Sequence, residues 1–154
     1  MISIIPYQEK YNEPVVAFVR SILEVEFNSK VNKYRSPDLD IISEKYQKPG
    51  GNFWLAIHDD KIVGTVAFLN MGKNRGYLKR MYLAKGYRGT GLAQKLLAIF
   101  LDFARHDNFE IIYLGTVPEM ERAIRFYEKH GFKPTSLPED LPRFGDTMFY
   151  KLEL

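Results

Sequence analysis

The chain has 154 residues, 45% of them hydrophobic and 27% charged, with a formal net charge of +3 and no cysteine. That size and balance suit one domain with a single core, expected to span residues 1–154, and exclude fibrous, low-complexity and largely disordered classes. Disulfides and an acyl-cysteine intermediate are excluded too; the basic residues are scattered among 19 acids without a long run, which disfavours nucleic acid as a partner, and no stretch is apolar for membrane-spanning length.

In chain order, Met1 to Tyr7 carries neither the basic start nor the long apolar run of a signal peptide, so a cytoplasmic location is expected. Residues 2–6 read as a first strand, ended by Pro6, which cannot continue a ladder. From Asn12 onward, Val15, Val16, Phe18, Val19, Ile22 and Leu23 recur at helical spacing, and Pro14 is acceptable in a first turn. Ser36-Pro37-Asp38 breaks and caps, predicting a short second helix over 38–46. Residues 53–57 and 62–69 read as a hairpin turned by Asp59-Asp60, and 76–83 as strand four. A long helix is expected over 90–105, with Leu92, Leu96, Ile99 and Phe103 in one apolar row and Ala93, Leu97, Phe100 and Ala104 in another. Strand five over 110–114 and a helix over 119–130, stopped by Gly131, come next. Final strands are expected over 133–136 and 147–152, separated by a proline-rich loop at 137–145. Strands and helices alternating around one sheet predict a three-layer α/β domain.

Strand four, the turn Arg88-Gly89-Thr90-Gly91 and the apolar helix follow one another directly. The first turn of a helix has unpartnered N–H groups and a partly positive dipole end, so this junction suits an oxygen-rich anion. Gly89 and Gly91 remove β-carbons from the approach, and Arg88 adds a permanent charge with a planar fork of donors. No Gly-Lys-Ser or Gly-Lys-Thr occurs, which argues against a P-loop. Gln94 is not the small residue that a dinucleotide fingerprint requires, and no suitable ribose-binding acid follows.

What remains, Arg-x-x-Gly-x-Ala at Arg88, Gly91 and Ala93, resembles the pyrophosphate motif of the GCN5-related N-acetyltransferases (GNAT). The segment from Leu114 to Phe132 resembles that family's second signature, a strand and then a helix with Ala-x-x-x-Tyr at Ala123 and Tyr127, closing on Gly131-Phe132. The resemblance implies a three-layer αβα fold around a mixed, twisted sheet of about six to seven strands. It also implies an acetyl-coenzyme A-dependent N-acetyltransferase. The backbone of Met81, Tyr82 and Leu83 would then pair with the pantetheine arm, and Arg88, Gly89, Thr90, Gly91, Leu92 and Ala93 would hold the pyrophosphate. In the same way the Met81 N–H would face the acetyl carbonyl, and Tyr127 would protonate the departing thiolate. A phenol near pKa 10 keeps its proton at neutral pH until a thiolate of conjugate pKa near 8.5 needs it.

Two positions depart from the family. Met120 stands where many members have Asn, and Tyr77 where several carry a carboxylate base on strand four. Neutralising a lysine-like amine at pH 7 costs about 4.6 kcal/mol against about 1.4 for an α-amine. The expected acceptor is therefore a small molecule or amino acid with an α-amine, or one whose proton leaves through water. Glu24, Glu26 and Glu119 are alternative bases, read first as solvated helix residues. Lys79 and Arg80 within a central strand point either to one of them meeting an acidic acceptor or a cofactor group, or to a bulge that frees both to solvent. Trp54 and the 137–145 loop, with Asp140 and Arg143, are expected near the acceptor. His58, His106 and His130 show no metal spacing, so no metal is expected. The competing readings are a non-catalytic acyl-coenzyme A sensor or scaffold of the same fold, and an acetyltransferase for protein N-termini or aminoacyl-tRNA. The oligomeric state, a homodimer included, stays open.

Overall fold

The computed structural model describes residues 1–26 and 36–154. Among these, seven strands form one sheet in the order β1-β2-β3-β4-β5-β7-β6. They are β1 (Ser3–Pro6), β2 (Asn52–His58), β3 (Lys61–Asn70), β4 (Arg75–Leu83), β5 (Ile111–Thr116), β6 (Lys133–Pro134) and β7 (Met148–Glu153). β4 and β5 run parallel and the other neighbours antiparallel. The α-helices are α1 (Asn12–Glu26), α2 (Leu92–His106) and α3 (Glu121–Lys129).

Each sheet face has its own core. α2 and α3 cover one face, where Leu96, Leu97, Phe100 and Tyr127 pack on Trp54, Val66, Phe68 and Leu78. The wide apolar stripe of α2 explains this, since burying each such side chain stabilises by about 1.5–3 kcal/mol before entropy is subtracted. α1 and the 37–47 segment cover the other face, where Val15, Val19, Leu39, Ile42 and Tyr46 meet Phe53, Leu55, Tyr77 and Tyr113. The result is the three-layer α/β domain that the strand and helix pattern predicts, around the mixed sheet that the family resemblance implies.

Several boundaries differ from the sequence reading for local reasons. The expected helix over 38–46 is a 3-10 turn, Pro37–Ile41, followed by a wide π turn, Ser43–Gln47, in which the Lys48 N–H donates to the Ser43 carbonyl at 2.8 Å. α2 starts at Leu92 and not at Thr90, because Gly91 sits in the left-handed region at φ 88 and cannot belong to the helix. The Asp59-Asp60 turn has φ of 50 and 63 at its two acids, the mirror-image turn that matches strand twist. α3 closes with Gly131 at φ 95, and the Phe132 N–H donates back to the Tyr127 carbonyl at 3.0 Å, which seats Phe132 in the core.

Two features of β4 position the candidate site. Its pairing with β5 extends over Arg75–Tyr77 against Ile111–Tyr113, after which the strands part. Its pairing with β3 shifts register between Thr65 and Ala67, opposite Arg80, whose φ is 53. This is a β-bulge.

Candidate active site

The split between β4 and β5 opens into a cavity of about 600 Å³. β4 contributes Met81, Tyr82 and Leu83; the turn and α2 contribute Arg88, Gly89, Gly91, Ala93 and Gln94; α3 and its approach contribute Glu119, Met120, Arg122, Phe126 and Tyr127. Of the residues expected to hold a coenzyme, Thr90 and Leu92 are not among the lining. The Thr90 hydroxyl turns back to the Tyr87 carbonyl, and Leu92 is buried beneath α2. Their part in any site is confined to backbone N–H groups.

The backbone of β4 faces this gap. The Ala84 N–H donates to the Val63 carbonyl at 2.8 Å on the β3 side. Strand alternation then turns the amides of Met81 and Leu83 to the opposite side, where β5 has moved away. At the far end, Gly89 at φ 73 and Gly91 at φ 88 have nothing among the described residues within 4 Å of where a Cβ would stand. Both conformations favour glycine, and the N–H groups of the first turn of α2 have no intrahelical acceptor. Burial lowers the Arg88 pKa, and the nearby Arg122 lowers it further. Two cations facing one cavity favour an anion between them.

Tyr127, 8% exposed, projects from α3 into the same space, edge-on to Phe126 and Phe132. Burial raises its pKa and Tyr82 adds to the effect, so the hydroxyl stays protonated at neutral pH. Met120 precedes the first turn of α3 at the cavity wall, presenting a thioether where an amide would have offered hydrogen bonds.

The bulge sets the chemistry of the other face. Tyr77 points to the α1 side and Leu78 to the α2 side, but Lys79 and Arg80 both turn toward α1 because the bulge inserts one residue. The expectation of a bulge therefore holds, while release of both cations to solvent does not. Arg80 donates from Nε and Nη2 to Asp38 at 3.0 and 2.7 Å, Tyr46 donates to the same carboxylate at 2.7 Å, and Thr65 Oγ1 donates to the Arg80 carbonyl at 2.7 Å. Burial alone would raise the Asp38 pKa, but the Arg80 guanidinium holds it below the usual carboxylate range. Lys79 sits with Nζ 3.3 Å over the Phe144 ring, and burial brings its pKa down to about 8. Asp146 lies nearby, pushed up by burial to about 6 against the pull of Lys79.

Trp54 lies on the opposite sheet face, packed against Phe100 and Phe103, and does not meet the 137–145 loop. Within that loop Asp140 is committed to Arg75 at 3.0 and 2.7 Å and Arg143 lies over Phe149, so Phe144 is the loop residue that reaches Tyr77 and Lys79. Glu24 is exposed, and Glu26 falls outside the residues whose side chains are described. No three metal-ligating side chains come together among the described residues, and no helix among them is long and apolar enough to cross a membrane. Sequence reasoning passes over Asp38, Phe144 and Asp146 as site residues. One signal is present: Gly115 interrupts the apolar β5, and an isolated glycine in a strand marks a close approach.

Comparison with known proteins agrees with this fold. The family model described as the acetyltransferase (GNAT) family matches residues 16–132. A solved GNAT-family acetyltransferase from Staphylococcus aureus Mu50 is 36% identical, with 99% of each chain covered and a TM-score of 0.94. The N-acetylaspartate synthetase of Xenopus tropicalis is 38% identical over 66% of this chain, which spans only 38% of that protein. N-alpha-acetyltransferase 30 of Schizosaccharomyces pombe is 29% identical, over 86% of this chain and 84% of its own.

Proposed function

The chain belongs to the GNAT family of acetyltransferases, and from that membership we propose that it moves an acetyl group from acetyl-coenzyme A directly to the amine of a small molecule or amino acid. The observation that carries this reading is the convergence of three separate elements on one cavity: the open β4 edge at Met81 and Leu83, the glycine turn with Arg88, and Tyr127 from α3.

The N–H groups from Gly89 to Ala93, with Arg88, hold the pyrophosphate at the positive end of α2. The amides of Met81 and Leu83 pair with the pantetheine arm as an added strand would, and Tyr82 lines the same path. The Met81 N–H, fixed just beyond the bulge, faces the acetyl carbonyl and stabilises charge developing on its oxygen. Losing one such donor typically costs about 3–4 kcal/mol. Tyr127 gives its proton to the departing sulfur. Acetyl-coenzyme A supplies the activated acyl group, and no metal is needed for this scheme.

A small acceptor is favoured by the 137–145 loop, which buries Leu137 and Leu141 on the α1 face and lays Phe144 over Tyr77 and Lys79. Lys79 has no ion pair among the described residues and would meet a carboxylate carried by the acceptor. The N-acetylaspartate synthetase relative is named for such an acceptor, whereas N-alpha-acetyltransferase 30 is named for α-amine acetylation. We expect the domain to act as one unit over residues 1–154, in the cytoplasm.

Calorimetric titration with acetyl-coenzyme A, with ATP and NAD as controls, tests the coenzyme assignment. Thiol release with L-aspartate, glycinamide and a Ser-Ala dipeptide then tests transfer and separates the acceptor classes. Tight binding without thiol release would turn the reading into that of a sensor, the role to which Met120 is better suited. No binding at all would remove the coenzyme assignment itself.

A further inference from the structure

Two carboxylates lie on the α1 face where β4 leaves β5, and they differ in what holds them. Asp38 is fully engaged by Arg80 and Tyr46. The Asp146 side chain makes no hydrogen bond and no close ion pair among the described residues. Gly115 is what admits it: a Cβ there would stand 2.5 Å from Asp146 Oδ2 and 2.8 Å from the Tyr77 hydroxyl. Gly115 lies two residues past Tyr113, the last β5 residue paired with β4, so Asp146 sits at the origin of the split. The Tyr77 hydroxyl, buried and without a partner among the described residues, is aimed at the same point.

We propose that Asp146 is the general base that takes the proton from the acceptor amine, supplying from the loop before β7 the carboxylate that strand four lacks at Tyr77. This rests on the acetyl-transfer reading above. The ammonium N–H bond breaks and its proton passes to an Asp146 oxygen. The freed nitrogen lone pair forms the bond to the acetyl carbon, and the carbon–sulfur bond breaks with its electrons on sulfur. Tyr127 donates a proton to that sulfur and recovers one from the nitrogen through solvent, and Asp146 releases its own to solvent when product leaves.

The groups facing Asp146 are Lys79 and Tyr77 from β4, while Arg143 from its own loop acts on Tyr77; β5 offers the uncharged Gly115. Asp38 and Arg80 neutralise each other beyond them. Burial places the Asp146 carboxyl at about 6. Against an ordinary aspartate near 3.9, that makes it a roughly 100-fold stronger proton acceptor while it remains ionised at pH 7. A carboxylate tied to Arg80, as Asp38 is, has the opposite tendency.

The test compares wild type, Asp146→Asn and Asp146→Glu in acetyl-coenzyme A calorimetry, and in thiol release with L-aspartate, glycinamide and Ser-Ala across pH. Carbon NMR titration of the aspartate carboxyls, assigned by the Asn variant, is a readout independent of turnover. We expect unchanged coenzyme affinity, a fall in kcat of about 100-fold or more, loss of the acidic limb near pH 6, and partial recovery with Glu. An Asn variant with the wild-type rate and profile overturns the proposal alone, as does an Asp146 signal that titrates in the ordinary carboxylate range. Wild-type protein that binds acetyl-coenzyme A but releases no thiol with any of the three amines overturns the transfer reading, and the base with it.

Discussion

Asp38→Ala leaves the Arg80 guanidinium and the Tyr46 hydroxyl without their common acceptor. The two charged side chains are 12% and 13% exposed, so little solvent is at hand to replace the carboxylate. Breaking one side of a buried pair costs about 3–5 kcal/mol, and the remaining exposure argues for about 3. Unfolding entropy of about 2.1 cal/mol/K per residue gives about 0.32 kcal/mol/K for this chain, hence a fall in Tm of about 9 °C. Differential scanning calorimetry at pH 7 reads it directly. The pH dependence has a fixed sign: Asp38 is held below its ordinary range, so its stabilisation is present above the unfolded carboxylate value near 3.9 and is lost as pH falls through the lower folded value. The gap between variant and wild type therefore narrows in acid. Since Arg80 is the bulge residue, the variant also loosens the strand that carries the Met81 amide, and the KM for acetyl-coenzyme A rises. The double variant Asp38→Leu, Arg80→Met removes both charges and recovers part of the lost stability. A fall below about 3 °C, or a double variant worse than the single one, would refute this account of the pair.

Tyr127→Phe lowers kcat for thiol release by about 100-fold while leaving acetyl-coenzyme A affinity and Tm nearly unchanged, because the hydroxyl has no hydrogen-bond partner among the described residues to lose; wild-type turnover would sink the acid role. Gly91→Ala meets no atom of the described residues within 4 Å, so its cost is that of a left-handed backbone, about 1–2 kcal/mol, read as a drop in Tm with weakened coenzyme binding in calorimetry. Gly76→Ala puts a Cβ 2.3 Å from Phe68 Cζ and destabilises by about 1–3 kcal/mol in urea unfolding. Adding Phe68→Leu restores part of that stability; if it restores none, the ring is not the obstacle.

What can be read from the sequence is what is local along the chain. The β4–turn–α2 junction, the Gly131 stop and the Asp59-Asp60 turn depend on neighbouring residues whose backbone needs are visible in order. The bulge at Arg80 depends on the register against Thr65 and Ala67, which no single strand encodes, so the sequence leaves the destination of two adjacent cations open between an acidic acceptor, a cofactor group and solvent, and does not find Asp38. Asp38 reads as a helix cap because its partner lies 42 residues away. Asp146 reaches the split only because a loop folds over β5 and Gly115 lets it in, and its trace in the sequence is a glycine in an apolar strand. Trp54 falls on the wrong side of the sheet in the sequence reading, since a period of two fixes that alternate residues face opposite ways, but not which face the 137–145 loop covers.

The short parallel ladder between Arg75–Tyr77 and Ile111–Tyr113 makes the sheet two plates joined along a seam. One plate is β1 to β4, the other β5 to β7, and beyond Tyr77 the amides of Met81 and Leu83 have no strand among the described residues to shield them from deuterium exchange. Any extended ligand with its own amides would act as a splint across that seam, slowing exchange on both plates at once. At a hundred times its dissociation constant it would add about 2.7 kcal/mol to unfolding. On the acetyl-transfer proposal, the seam between the two plates is also the line along which the coenzyme arm would lie, so occupancy and stiffness would be one quantity measured in two ways.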